Sequence, residues 1–150
     1  MTYTRTYDQM VQAARSGKQN IAEASVDSGT SKKIELKLLQ ISRGSLEELL
    51  LDFEDFLRQR NFSLWSKEDS RVKEIRSLAY FPNRSYTTYK PYMSNSESAA
   101  NCLICLIHQA NFLLDQQLRS LEKEFLEKGG FTERLYNFRK ANKSNKSDKS

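Results

Sequence analysis

The sequence predicts an all-α protein: an up-and-down bundle of long antiparallel helices, with one long Tyr- and Pro-containing connection and a disordered basic C-terminal tail. Three observations carry that expectation. Apolar side chains recur at alternating steps of three and four through residues 36–57, and again through 100–125, which lines one face of a helix. A shorter stripe of small and apolar residues does the same near the N-terminus. Pro82 and Pro91, the chain's two prolines, both fall in the segment between the later stretches.

A chain of 150 residues makes one domain with enough length to bury a core. We place the bundle at residues 1–138 and the tail at 139–150. No run approaches the ~20 apolar residues of a membrane span and no signal-peptide pattern opens the chain, so a cytoplasmic location and no membrane partner are expected. Two Cys in one short stretch make no disulfide framework.

The net charge of +5 is unevenly spread: residues 139–150 (RKANKSNKSDKS) hold +4 of it. That tail has nothing to bury and reads as disordered. Within the body, residues 46–57 hold five acids and no base, whereas residues 58–90 hold eight bases and three acids. The local basic segment therefore says more about partners than the overall charge does.

The first stretch to explain is ARSGKQNIAE, residues 14–23, where Gly17-Lys18 raises a phosphate loop. Such a loop needs Gly at position 12, Ser or Thr at position 19 and a strand leading in. Here stand Gln12 and Gln19, and the lead-in has no strand pattern. A helix fits instead, with Met10, Ala14, Gly17, Ile21 and Ala24 on one stripe. Gly17 costs about 1 kcal/mol of helix propensity relative to Ala, and close approach of a neighbouring helix is the expected return.

After Asp27-Ser28-Gly29, Thr30 or Ser31 can cap the next helix. Leu36, Leu39, Arg43, Leu46, Leu50, Phe53 and Leu57 form one stripe. Ile34, Leu38, Ile41, Ser45, Leu49 and Phe56 form a second beside it. So wide a face suits a central helix, or one shared between its own chain and another subunit. Glu47, Glu48, Asp52, Glu54 and Asp55 take the solvated side. No Glu-x-x-His motif or facing carboxylate helix makes them a metal site.

Residues 61–93 break the pattern, with Ser66 expected to cap a short helix through Leu78. AYFPNRSYTTYKPYMSNS then mixes two Pro, five aromatics, Arg84 and Lys90, and the prolines argue against helix. Long connections are usually functional or disordered, and aromatic-rich ones are rarely disordered. Two readings stay open. Tyr86, Tyr89 and Tyr92 either pin the loop onto the bundle with their hydroxyls wet, or stack bases while basic side chains meet phosphates. On the second reading the candidate nucleic-acid-binding residues are Arg71, Lys73, Arg76, Arg84, Tyr86, Tyr89, Lys90 and Tyr92.

Ser94-Asn95-Ser96-Glu97 reads as a capping box. It opens a helix that Gly129-Gly130 ends, with Ala100, Leu103, Ile107, Ala110, Leu114, Leu118, Leu121 and Phe125 inward. Cys102, Cys105 and His108 are spaced as metal ligands but sit roughly 0°, 300° and 240° around a helix, so they fan apart. A redox CxxC needs a strand before it and an exposed helix start. No metal and no cofactor is expected, and no nucleophile–base pair, metal cluster or phosphate loop marks an enzyme.

QMVQAARSGKQNIAEAS followed by SKKIELKLLQISRGSLEELLLDFEDFLRQR resembles the bacterial four-helix bundle family. That family includes proteins encoded in intervening sequences of 23S ribosomal RNA genes and, more distantly, accessory proteins of diversity-generating retroelements. The residues concerned are Gln9, Ala13, Ala14, Ser16, Asn20, Ile21, Ala22 and Glu23, then Ser45, Leu46, Glu48 and Leu49. The segment from RSYTTYKPY to GGFTERLYNFR resembles a subgroup with a C-terminal suffix, and the likeness spans roughly residues 8–139. It implies homo-oligomeric rings, pentamers among them, association with nucleic acid, and no established enzymatic activity. Two features depart from it. Ala24 stands where the family has Gly, a strain of about 1 kcal/mol if the backbone there is left-handed. Only MTYTRTY precedes the family's second helix, so the first is expected to be missing.

Three functions follow as expectations. The first is a non-catalytic homo-oligomeric bundle binding RNA or single-stranded nucleic acid through the basic, Tyr-rich segment. The second is a protein-interaction bundle partnering a neighbouring gene product such as a reverse transcriptase. The third, an enzyme, finds no support in the residues. A bundle lacking one helix leaves a groove, so helix-packing or oligomer contacts are expected at Met10, Ala14, Gly17, Ile21, Leu46, Leu50, Phe53 and Leu57.

Overall fold

The structure, a computed structural model, describes residues 5–26, 32–128, 136 and 139–143. The fold is all-α, and no strand forms among these residues. Helices α1 (Arg5–Val26), α2 (Lys32–Gln59) and α5 (Ser96–Lys128) are long. Between α2 and α5 come α3 (Ser70–Leu78), α4 (Tyr86–Tyr89) and a 3-10 turn, Lys90–Ser94. Thr30 and Ser31, Gly129 and Gly130, and residues 144–150 of the expected tail lie outside the described residues. Residues 139–143, in the segment whose composition predicts disorder, are helical and exposed.

Two apolar clusters set the helix directions. Ala13 meets Leu49, Leu50 and Leu57 together with Ala100, Ile104 and Ile107, while Met10, Leu46 and Phe53 pack around them. Ala24 meets Leu39 with Leu114, Leu118 and Leu121, and Ile21 and Leu36 pack alongside. The start of α1 thus faces the end of α2 and the start of α5. Helix α2 therefore runs antiparallel to both of its long neighbours. Arg43 reinforces the α2–α5 pairing: its Nε donates to Asp115 at 2.9 Å and its Nη1 to Glu47 at 2.7 Å. Those partners let a basic residue sit half-buried in an otherwise apolar stripe, and they raise its pKa, the Glu47 bond most of all.

Two stripe assignments change. On α1, Ala13 is buried and Ala14 exposed. Ala14 lies about 60° round the helix from Gly17; at that flank a methyl group is too short to reach the core, whereas Ile21 reaches it. On α2 the second stripe is only partly covered, because Ile34 and Ile41 remain exposed while Leu49 is buried. Gly17 is buried against α2, where a Cβ would stand 3.5 Å from the Leu46 side chain and 3.8 Å from the Ser42 carbonyl. Beside it Ser45 donates to the Ser16 hydroxyl at 3.0 Å. Ala24 sits in regular helix, so it bears no left-handed strain; among the described non-Gly residues positive φ is confined to Asn61.

Asn61 explains the end of α2. With its φ of 56°, the Asn61 N–H donates to the Arg58 carbonyl and the Phe62 N–H to that of Leu57, at 3.2 and 2.9 Å. This left-handed cap satisfies the last carbonyls and folds Phe62 back onto Leu57. The chain then turns to cross the first half of α5.

Candidate nucleic-acid interface

That crossing is held by one buried amide. Asn101, 2% exposed, accepts from the Trp65 N–H at 2.8 Å and donates to the carbonyls of Ser63 at 2.9 Å and Glu97 at 3.0 Å. Trp65 is thereby laid against Val72, Ile75, Cys102 and Cys105, a second core on the other side of α5. Helix α3 starts at Asp69, not Ser66: the Asp69 carboxylate accepts from the Arg71 N–H, while the Ser66 carbonyl only closes a turn with the Asp69 N–H. Likewise α5 is capped by Asn95, one residue after Ser94; its Oδ1 accepts from the Ser98 N–H at 2.8 Å. Glu97 reaches the Ser63 N–H at 2.9 Å instead of closing a box with Ser94.

Pro82 lies in a turn outside the helices, as expected, but Pro91 does not exclude helix. Tyr86–Tyr89 forms one turn, opened where Ser85 donates its N–H to Thr88 Oγ1 at 3.1 Å. Pro91 stands in the first turn of the 3-10 helix, where the missing N–H costs nothing.

These elements sort the eight candidate residues. Arg71 is committed: it forks onto Asp69 at 3.0 and 2.8 Å and lies over the Trp65 ring. Lys73 faces Glu68 at 3.4 Å. Tyr89 is buried in the second core, and Tyr92 is half-buried with its hydroxyl enclosed near the Glu74 carboxylate. Burial first and the nearby Glu74 carboxylate second push the Tyr92 phenol up to about 12. Both rings pin the segment to α5. Arg76, Arg84, Lys90 and Tyr86 remain, all exposed, and the three cations make no ion pair among the described residues. Arg76 is near enough to α5 to lower the Cys105 thiol pKa against the larger opposing effect of burial.

The structure adds two residues to this set. Tyr80 and Phe81, 89% and 59% exposed, leave the end of α3 as uncovered rings, and Tyr86 is 69% exposed. The signal was an aromatic pair just past the last helical residue, where no core position exists for it. Around Pro82 the surface dips into a cleft of about 580 Å³, lined by Pro82, Tyr86, Tyr89 and Met93 of the connecting segment and by Leu103 and Leu106 of α5. Arg84 and Ser85 supply its polar groups. A smaller hollow of about 390 Å³ is lined by Pro82 together with Leu78 and Phe81.

No family model matches the chain, and no curated protein or solved structure matches it either. Its chemistry must therefore be read from its own side chains.

Cys102 and Cys105 are buried free thiols and His108 is exposed, so the three do not converge. Burial, then the neighbouring Cys105, pushes the Cys102 thiol up to about 11, far from a reactive thiolate. Among the described residues no group of three His, Cys, Asp or Glu side chains could hold a metal ion. No described helix is long and apolar enough to cross a membrane.

Proposed function

We propose that this chain is a non-catalytic helical protein of the cytoplasm that binds RNA or single-stranded nucleic acid through the surface between α3 and α5. The observation that carries the reading is the exposure of Tyr80, Phe81 and Tyr86 in the segment 76–90, which also carries three exposed cations, Arg76, Arg84 and Lys90, that make no ion pair among the described residues. Uncovered aromatic rings cost solvation and unpaired cations repel one another. A strand offering bases and phosphates relieves both at once. The resemblance to the intervening-sequence proteins points the same way. The test is fluorescence anisotropy of a labelled single-stranded RNA across a salt titration. Each phosphate contact should contribute roughly −0.7 to the log–log slope, so three give about −2. Absence of binding at low salt sinks the proposal.

A second reading, protein docking, is favoured by a different observation. Ile34, Ile41 and Leu51 on α2, with Phe112, Leu113 and Leu126 on α5, are large apolar side chains left exposed. They fit contacts with further copies of the chain, including the pentameric ring and four-helix packing that the resemblance implies, or with a neighbouring gene product such as a reverse transcriptase. Light scattering at micromolar concentration tests self-association: a stable monomer removes it.

A further inference from the structure

We propose, building on the nucleic-acid reading, that the cleft beside Pro82 receives one unstacked base of a single strand. Its volume of about 580 Å³ lies within the range of small-ligand clefts, roughly 300–1,000 Å³. Its lining is mostly apolar, with Pro82, Met93, Leu103 and Leu106 beside the Tyr86 and Tyr89 rings, so it suits a flat, weakly polar ring. Tyr86 is exposed enough to offer a ring face to such a guest. No acid lines the cleft; its charged group is Arg84, which makes no ion pair among the described residues. A guanidinium within an otherwise apolar lining matches a base joined to a phosphate. Lys90 directly follows the lining residue Tyr89 and is exposed, so a flanking phosphate has a second cation available on the same segment. A duplex keeps its bases paired and stacked and cannot fill the slot without extruding one. The cleft therefore makes the surface selective for single strands.

The experiment compares three fluorescent ligands of equal length on the full chain: oligouridylate, the same sugar–phosphate strand without bases, and a blunt RNA duplex. Each is titrated at two salt concentrations, against the wild type and against Tyr86→Ala, an exposed position whose replacement leaves the helices intact. Oligouridylate should bind the wild type about tenfold more tightly than the abasic strand, since base–aromatic stacking is of that order. The salt slopes of the two strands should match, and the duplex should bind more weakly than oligouridylate. In Tyr86→Ala the advantage of oligouridylate over the abasic strand should fall away. Equal binding of the abasic and normal strands overturns the cleft while leaving the surface reading in place. A base preference that survives Tyr86→Ala overturns it too, because the base is then read elsewhere. Binding of none of the three overturns both.

Discussion

The Arg71 guanidinium lies 3.9 Å from the centroid of the Trp65 ring while the same side chain forks onto Asp69. One residue thus clamps the N-terminus of α3 to the crossing segment, and its charge is spent locally rather than offered to a ligand. The clamp has a pH signature. The Arg71 side chain, and then its backbone N–H, hold the Asp69 carboxyl down from 3.8 to about 2. A carboxyl depressed in the folded state contributes stability that is complete above its unfolded value and lost as pH falls through the folded one. Asp69→Asn should lower the melting temperature at neutral pH, and its deficit should shrink as the pH drops from about 4 to about 2. Melting curves for the two proteins that stay parallel across that window would contradict the clamp.

Asn101 is the second point of leverage. Its replacement by Leu strands the buried Trp65 N–H and takes the donor from the Ser63 carbonyl, which is only part-buried. An unmet buried group costs about 1–3 kcal/mol, so a loss of about 2 kcal/mol in urea unfolding is expected. Asn101→Asp should be no milder, since a carboxylate cannot donate to Ser63. A change under about 0.5 kcal/mol in either variant would mean the amide is not holding the crossing.

The helix glycines separate propensity from packing. Gly44 has nothing within 4 Å of where a Cβ would lie, so Gly44→Ala should gain about 1 kcal/mol from propensity alone. At Gly17 a Cβ makes ordinary contact with Leu46 and Ser42, so Gly17→Ala should also stabilise. Gly17→Leu should instead lose roughly 1–3 kcal/mol by forcing α1 from α2. Chemical denaturation of the three variants checks the order; a stabilising Gly17→Leu would mean the α1–α2 seam is loose.

Both thiols should be inert in the native state. Cys102 is fully buried and its pKa is raised to about 11, and burial moves Cys105 in the same direction. A disulfide reagent at neutral pH should modify neither until denaturant is added. Rapid native labelling of either cysteine would show that the second core opens easily.

The long helices were legible because their cores repeat. Leu39, Leu50, Leu57, Leu114 and Leu121 obey a period that any core-facing helix must obey, and all five are buried. Where side chains were small the period blurred, and Ala13 and Ala14 exchanged places. The interface was less legible. Helix α4 is four residues long and is set by Ser85, Thr88 and a following proline, local chemistry too short to carry a period. Tyr89 and Tyr80 look alike in sequence; the first is buried because α5 passes beneath it, while the second projects from a finished helix. Asn101 hid within an apolar run because its partners lie 36 and 38 positions away along the chain.

On the proposed function, Arg84 and Lys90 meet phosphates of a single strand. This is tested most directly by the salt dependence of RNA affinity in the wild type and in an Arg84→Ala, Lys90→Ala double variant. Neither side chain makes an ion pair among the described residues, so circular dichroism should show unchanged helicity. The double variant should bind more weakly, with a log–log salt slope shallower by about 1.4, roughly 0.7 for each lost contact. An unchanged affinity and slope in a fully helical double variant would contradict it.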